Sequence, residues 1–236
     1  MDRKKFLKDG LMAALGASAI LPLTQACKKD SITTDTGGSA GNGSCSVSPT
    51  ETAGPFPTKV PSSLVSTDIR SDRTGVALTI KITVNKLSDC SALKDAIVDI
   101  WHCDKDGYYS EYGGTSMQTQ DFTSVHFLRG RQVTDASGIV TFTSIFPGWY
   151  SGRAPHIHVH IYNASGTSLL VTQIAFPTDV CNNVYTNATN FYTKGLQDTS
   201  NARDNVFSDS LANQLASVSG SIAAGYTLTH LITVNA

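Results

Sequence analysis

From residue 76 to residue 84 apolar and polar positions alternate: Leu78, Ile80, Ile82 and Val84 fall to one side, Thr79, Lys81 and Thr83 to the other. A period of two marks a strand with one buried face. Residues 96–101 predict a second strand, and residues 139–145 a third, introduced by the turn Asp135-Ala136-Ser137-Gly138. Residues 156–162, 169–176 and 226–234 predict three more. After position 45 no window of 12 or more residues carries a helical stripe, and there is no internal repeat. Short β-branched runs between turn signals predict an all-β fold, a two-sheet β-sandwich with long loops.

The first 44 residues break that pattern. Arg3, Lys4, Lys5 and Lys8 form a basic segment, and residues 10–27 then carry no charge. This stretch is too short and too rich in Ala and Gly for a spanning helix, so residues 1–26 predict a signal peptide. Arg3-Lys4 followed by Phe6-Leu7 resembles a variant twin-arginine export signal. Leu23-Thr24-Gln25-Ala26-Cys27 resembles a lipobox, although Thr24 stands where an aliphatic residue is usual. Cys27 is therefore the expected lipid anchor. Residues 27–44, polar and Gly/Ser-rich, predict a flexible tether. The expected folded domain is 45–236, held outside the cytoplasm as a periplasmic or cell-surface lipoprotein, or, with an ordinary secretory signal, as a periplasmic or secreted protein. In such a compartment Cys45, Cys90, Cys103 and Cys181 allow up to two disulfides, whose pairing the spacing does not rank.

The chain has 236 residues and a formal net charge of −1. Residues 1–26 hold four basic and two acidic side chains, which leaves 14 basic against 17 acidic, a net −3. A weakly acidic surface excludes nucleic acid as the main partner, because phosphate neutralisation needs a clustered basic face.

The chemistry gathers at His156-Ile157-His158-Val159-His160. Alternation puts the three imidazoles on one strand face, neighbours roughly 6.6 Å apart and the outer two roughly 13 Å apart. One metal ion can bridge the first pair or the last pair, never all three. No Glu follows the motif, which argues against a cupin site, and against a two-His-one-carboxylate site unless the carboxylate comes from afar. Tyrosines are plentiful instead: Tyr109 follows a strand end in Trp101-His102-Cys103-Asp104-Lys105-Asp106-Gly107-Tyr108-Tyr109, and Tyr150 lies in Phe146-Pro147-Gly148-Trp149-Tyr150. Phenolate is a hard anionic ligand suited to ferric iron.

Four segments together resemble the intradiol ring-cleavage dioxygenases. They are Thr50-Glu51-Thr52-Ala53-Gly54-Pro55-Phe56-Pro57; Ala96-Ile97-Val98-Asp99-Ile100-Trp101-His102 through Gly107-Tyr108-Tyr109-Ser110; Phe127-Leu128-Arg129-Gly130 through Pro147-Gly148-Trp149-Tyr150; and Arg153-Ala154-Pro155-His156-Ile157-His158. The similarity runs from about residue 45 to the C-terminus and is nearest to the exported, compact branch. It implies a non-haem Fe3+ between the two sheets, ligated by Tyr109, Tyr150, His156 and His158. His160 then becomes a residue behind the ligands or in the core, not a ligand itself. Arg153 would stabilise negative charge on the substrate, and Gln173 would be a further active-site residue. The implied reaction opens a small catecholic substrate between its two hydroxyl-bearing carbons with O2, giving a muconate-type diacid. Three departures put the substrate in doubt: no helical N-terminal dimerisation region, a short Tyr150-to-His156 loop, and the order Arg-Ala-Pro rather than Arg-Pro-Ala. The rival functions are a transthyretin-like binding module at the cell surface, which need not keep all four ligands, and a hydrolase, for which Ser110, Ser151 and Ser165 lack a nucleophile-elbow context.

Overall fold

The structure is a computed structural model and describes residues 45–236. The expected leader, Cys27 and the tether lie outside the described residues. Eight strands and one α-helix follow in chain order: β1 (Ala77–Lys86), β2 (Ile97–Trp101), β3 (Arg129–Val133), β4 (Ile139–Ile145), β5 (His156–Tyr162), β6 (Ser168–Ala175), α1 (Thr178–Asn187), β7 (Ser217–Ser221) and β8 (Gly225–Val234). They form two four-stranded sheets, β4-β1-β8-β7 and β3-β2-β5-β6. All neighbours are antiparallel except β1 and β8, which pair in parallel.

The alternating residues of β1 behave as their pattern requires: Leu78, Ile80, Ile82 and Val84 are all buried. They meet Val98, Ile100, Ile157, Val159 and Ile161 of the second sheet in one core. Each such side chain contributes roughly 1.5–3 kcal/mol on full burial. Because Ile157, Val159 and Ile161 point inward, the histidines between them point outward.

Two strands and the helix went unpredicted. β3 reads Arg-Gly-Arg-Gln-Val, and β7 reads Ser-Val-Ser-Gly-Ser at a sheet edge. Helix α1 is ten residues long and buries only Cys181, Val184 and Tyr185, a stripe at i, i+3 and i+4 on an otherwise polar segment. One disulfide forms, Cys45–Cys90, tying the start of the domain to the β1–β2 connection. The second pair that four cysteines allowed does not form. Cys103 and Cys181 are free and buried in different apolar clusters.

Candidate metal centre

His156 and His158 stand on the face of the second sheet turned away from the first. The expected position between the sheets is corrected accordingly: the core side of β5 is filled by its isoleucines and valine. His158 is boxed on that outer face. Trp101, its β2 partner, stacks on it with centroids 4.9 Å apart and planes 2° from parallel. Gln173 is its partner on β6. Above lies Gly54, at φ +71°, where an added Cβ would sit 2.8 Å from His158 Cε1.

The two tyrosines come from loops. Tyr109 is fully buried and lies outside any strand or helix, yet both of its backbone groups are held by one side chain. Gln118 Oε1 accepts from the Tyr109 N–H at 2.7 Å, and Gln118 Nε2 donates to the Tyr109 carbonyl at 2.7 Å. Upstream, the Asp104 carboxylate accepts from the N–H groups of Asp106 and Tyr108 and shapes the turn. At Gly107, φ +93°, a Cβ would fall against the Trp149 carbonyl, so this turn packs on the backbone of the second loop. That second loop carries Tyr150. It is anchored by Tyr185 Oη to the Pro147 carbonyl (2.8 Å), Trp149 Nε1 to the Gly195 carbonyl (2.9 Å) and Ser151 Oγ to Asp198 (2.7 Å). Buried Arg129 joins the Tyr109 loop to the entrance segment, donating to Ser110 and to the Phe56 carbonyl. Phe56 in turn stacks on Tyr109 at 4.8 Å.

Four donor atoms converge. Around His156 Nε2 lie His158 Nε2 at 3.1 Å, Tyr109 Oη at 3.4 Å and Tyr150 Oη at 3.5 Å. His156 Nδ1 donates to the Ala154 carbonyl at 2.6 Å, which leaves a bare lone pair on Nε2. Two imidazole nitrogens 3.1 Å apart, one of them a lone pair, need either a proton or a cation between them. Burial, reinforced by Arg153, pushes His156 down to about 3, and burial holds His158 well below the usual imidazole range, so both rings are neutral at pH 7. Burial raises Tyr109 well above the ordinary phenol value and Tyr150 to about 12. A cation at the focus is what would favour the phenolates.

The spacing fits such a cation. Metal–nitrogen and metal–oxygen bonds of about 2.1 Å place adjacent ligands about 3.0–3.4 Å apart in octahedral or tetrahedral geometry, which brackets most of the observed range. Two neutral nitrogens and two phenolates bring two negative charges of hard character, a donor set for a trivalent ion. Among the described residues no group of three or more His, Cys, Asp or Glu offers a competing site.

The other two expected residues adjoin this focus. Arg153 Nη1 lies 3.5 Å from Tyr150 Oη, and its Nη2 donates to Gln173 Oε1 at 2.6 Å. Gln173 Nε2 donates to the Thr52 carbonyl at 2.8 Å. His160 stands apart. Its nitrogens bond the Tyr162 hydroxyl and Ser168 Oγ, both at 2.8 Å, and its ring stacks on Tyr162, so it belongs neither to the core nor to the shell of the focus. Gln118, Asp204 and the boxing role of Gly54 were not anticipated. Gly54 at least sat within the entrance motif, whereas Gln118 and Asp204 carry no local signal.

The sequence profile of a family described as Dioxygenase matches residues 58–204. No curated protein sequence matches the chain. Solved structures do. An intradiol ring-cleavage dioxygenase from Tetranychus urticae is 27% identical, with a TM-score of 0.72 over 81% of this chain and 95% of its own. The dioxygenase domain of a dioxygenase–carbohydrate-binding fusion protein from Streptomyces sp. SirexAA-E is 25% identical, with a TM-score of 0.59 over 80% of this chain and 99% of its own. A hydroxyquinol 1,2-dioxygenase from Pseudomonas putida DLL-E4, 14% identical with a TM-score of 0.55 over 83% of this chain and 68% of its own, shares the fold.

Proposed function

We propose that this chain, which belongs to the intradiol ring-cleavage dioxygenase family, is a non-haem ferric enzyme that opens catechol-type rings between the two hydroxyl-bearing carbons. The observation that carries the proposal is the convergence of a second imidazole nitrogen and two phenol oxygens at 3.1–3.5 Å from His156 Nε2. A binding module has no need for such an arrangement, which buries two phenols and two neutral imidazoles without a carboxylate.

Tyr109, Tyr150, His156 and His158 would hold the ion. Fe3+ so bound would act as a Lewis acid toward a catecholate and link it electronically to O2. The chain's own contribution is positioning and charge. His156 is locked as the tautomer with its proton on Nδ1. His158 is held between Trp101 and Gly54. As the phenolate that a bound ion would favour, Tyr150 Oη would take a proton from a catechol hydroxyl, and Arg153 Nη1, 3.5 Å from that oxygen, would stabilise negative charge building on the ring. Phe56, flat on Tyr109 and edge-on to Tyr150, helps to shield the fully buried Tyr109 phenol from water.

The test is aerobic turnover of catechol by iron-loaded protein, with the product identified by mass spectrometry. The expected product is a muconate-type diacid containing both atoms of one O2. Absence of turnover, or a ring opened beside the diol rather than within it, would remove the proposal. We further propose export, for which the Cys45–Cys90 disulfide is supporting evidence because such bonds persist in oxidising compartments, and a lipid anchor at Cys27, which rests on the lipobox-like sequence alone.

A further inference from the structure

Asp204 is wholly buried and lies outside any strand or helix, 47 residues beyond Ile157 in the middle of the histidine pair. Its two oxygens are fully engaged. They accept from Arg153 Nε at 2.9 and 3.1 Å, from the Ala154 N–H at 2.7 Å and from the Val206 N–H at 2.9 Å. Two of these partners lead to the candidate centre by separate routes. Arg153, held at Nε, extends Nη1 to Tyr150 and Nη2 to Gln173. Ala154, held at its N–H, offers its carbonyl to His156 Nδ1.

From this geometry we infer that Asp204 is a positioning residue, a single carboxylate that sets both the reach of Arg153 toward Tyr150 and the backbone shelf that orients His156. The inference rests on the functional reading above and deepens it. Arg153 lies close to the phenol of Tyr150, and without Asp204 its guanidinium would be hydrogen-bonded to a fixed partner at Nη2 alone, by Gln173, and could pivot about that contact. Asp204 removes that pivot by adding a second point of attachment at Nε, so the two Nη groups keep fixed directions. A charge-stabilising group acts through its direction, and misplacement by about 1 Å can cost about 100-fold in rate.

The experiment is a double-mutant cycle on the iron-loaded, full-length protein with Asp204→Asn, Arg153→Gln and the pair. Turnover of catechol, iron retained after dialysis against a weak chelator, and Tm are measured for each. Asp204→Asn is expected to lower kcat about 100-fold with KM changed less than about 3-fold. In the Arg153→Gln background the same substitution should lower kcat, expressed per bound iron, by less than about 2-fold further, because the charged group it positions is gone. Iron retention should fall with Asp204→Asn in both backgrounds, since the Ala154–His156 route does not pass through Arg153. The double variant carries neither charge and is the folded reference if Asp204→Asn alone is unstable; Asp204→Glu, which keeps the charge at a displaced position, should regain Tm but not kcat. Losses in kcat that multiply across the cycle would overturn the inference, as would an Asp204→Asn enzyme within about 3-fold of wild type. A wild-type protein that binds one ferric ion but turns over no catechol would instead sink the functional proposal, and the iron-retention arm would still decide the role of Asp204.

Discussion

Gly54→Ala places a methyl group against the imidazole that the centre most depends on. The new Cβ would stand 2.8 Å from His158 Cε1 and 3.3 Å from Nε2, whereas carbon atoms rest at about 3.5–4.0 Å. A shift of about 0.7 Å or more is therefore forced. The ring has no room to retreat, because Trp101 lies flat on it at 4.9 Å. Metal–ligand bonds tolerate about 0.2 Å, so the displaced nitrogen falls out of range. The backbone adds a second penalty: at φ +71° an L-residue costs about 1–2 kcal/mol, and overpacking adds about 1–3 kcal/mol. Together these lower Tm by about 5–15 °C for a domain of this size. Gly166→Ala is the control, since it shares the positive φ, +86°, with nothing within 4 Å of the added carbon. It should lose about 1–2 kcal/mol and bind iron in full. The assay pairs thermal melts of the metal-free proteins with iron stoichiometry after reconstitution. A Gly54→Ala protein that melts like Gly166→Ala and still binds one equivalent would refute the reasoning.

Four further outcomes are expected. His158→Ala should abolish iron binding while His160→Ala retains it, as measured by metal analysis; bleaching by His160→Ala alone would mean that the wrong pair had been assigned. Reducing Cys45–Cys90 opens a loop of 45 residues and should cost about 4 kcal/mol, seen as a Tm about 10 °C lower, while Cys103 and Cys181 stay protected from alkylation in the folded protein. His102 is fully buried and pushed down to about 4, mainly by burial, so it is neutral when folded but takes up a proton when unfolded below about 6.5. Its contribution of about 3 kcal/mol is present above pH 6.5 and drains away as pH falls toward 4; urea midpoints should fall less steeply for His102→Asn, and equal slopes would contradict this. Cys27→Ser should move the exported protein to the soluble fraction without loss of turnover, and a wild-type protein that takes up no fatty-acid label would end the anchor proposal.

What the sequence made legible follows from how local each signal is. The strands built on alternation, β1, β4 and β5 above all, could be read because each position declares its face. Strand β3 could not, since its Arg129 is buried to serve the Tyr109 loop and its Arg131 pairs with Asp99 on β2. Helix α1 is too short, and its buried stripe too narrow, to stand out from a polar loop. At the centre, alternation alone placed three imidazoles on one face, but it left open which pair meets. The tyrosines could be noted as hard anionic donors, but their assignment as ligands came through family resemblance, because loops 47 residues before and 6 before His156 share no periodicity with β5. Gln118 and Asp204 were invisible for a related reason: their partners are mostly backbone groups, at Tyr109 and Tyr112 for one and at Ala154 and Val206 for the other, and backbone leaves no trace in the residue string. The face that carries the centre was legible in principle, because isoleucines that fill the core oblige the intervening histidines to point away from it.

Titration of the metal-free protein with ferric ion under anaerobic conditions, followed by visible absorption, tests the central claim most directly. A phenolate bound to ferric iron gives an intense visible band, so the account predicts a coloured protein that saturates at one equivalent per chain. The band should weaken and change in Tyr109→Phe and in Tyr150→Phe and vanish when both are replaced. A colourless protein at saturation, or a band that survives in the double variant, would contradict the assignment of the two tyrosines as ligands.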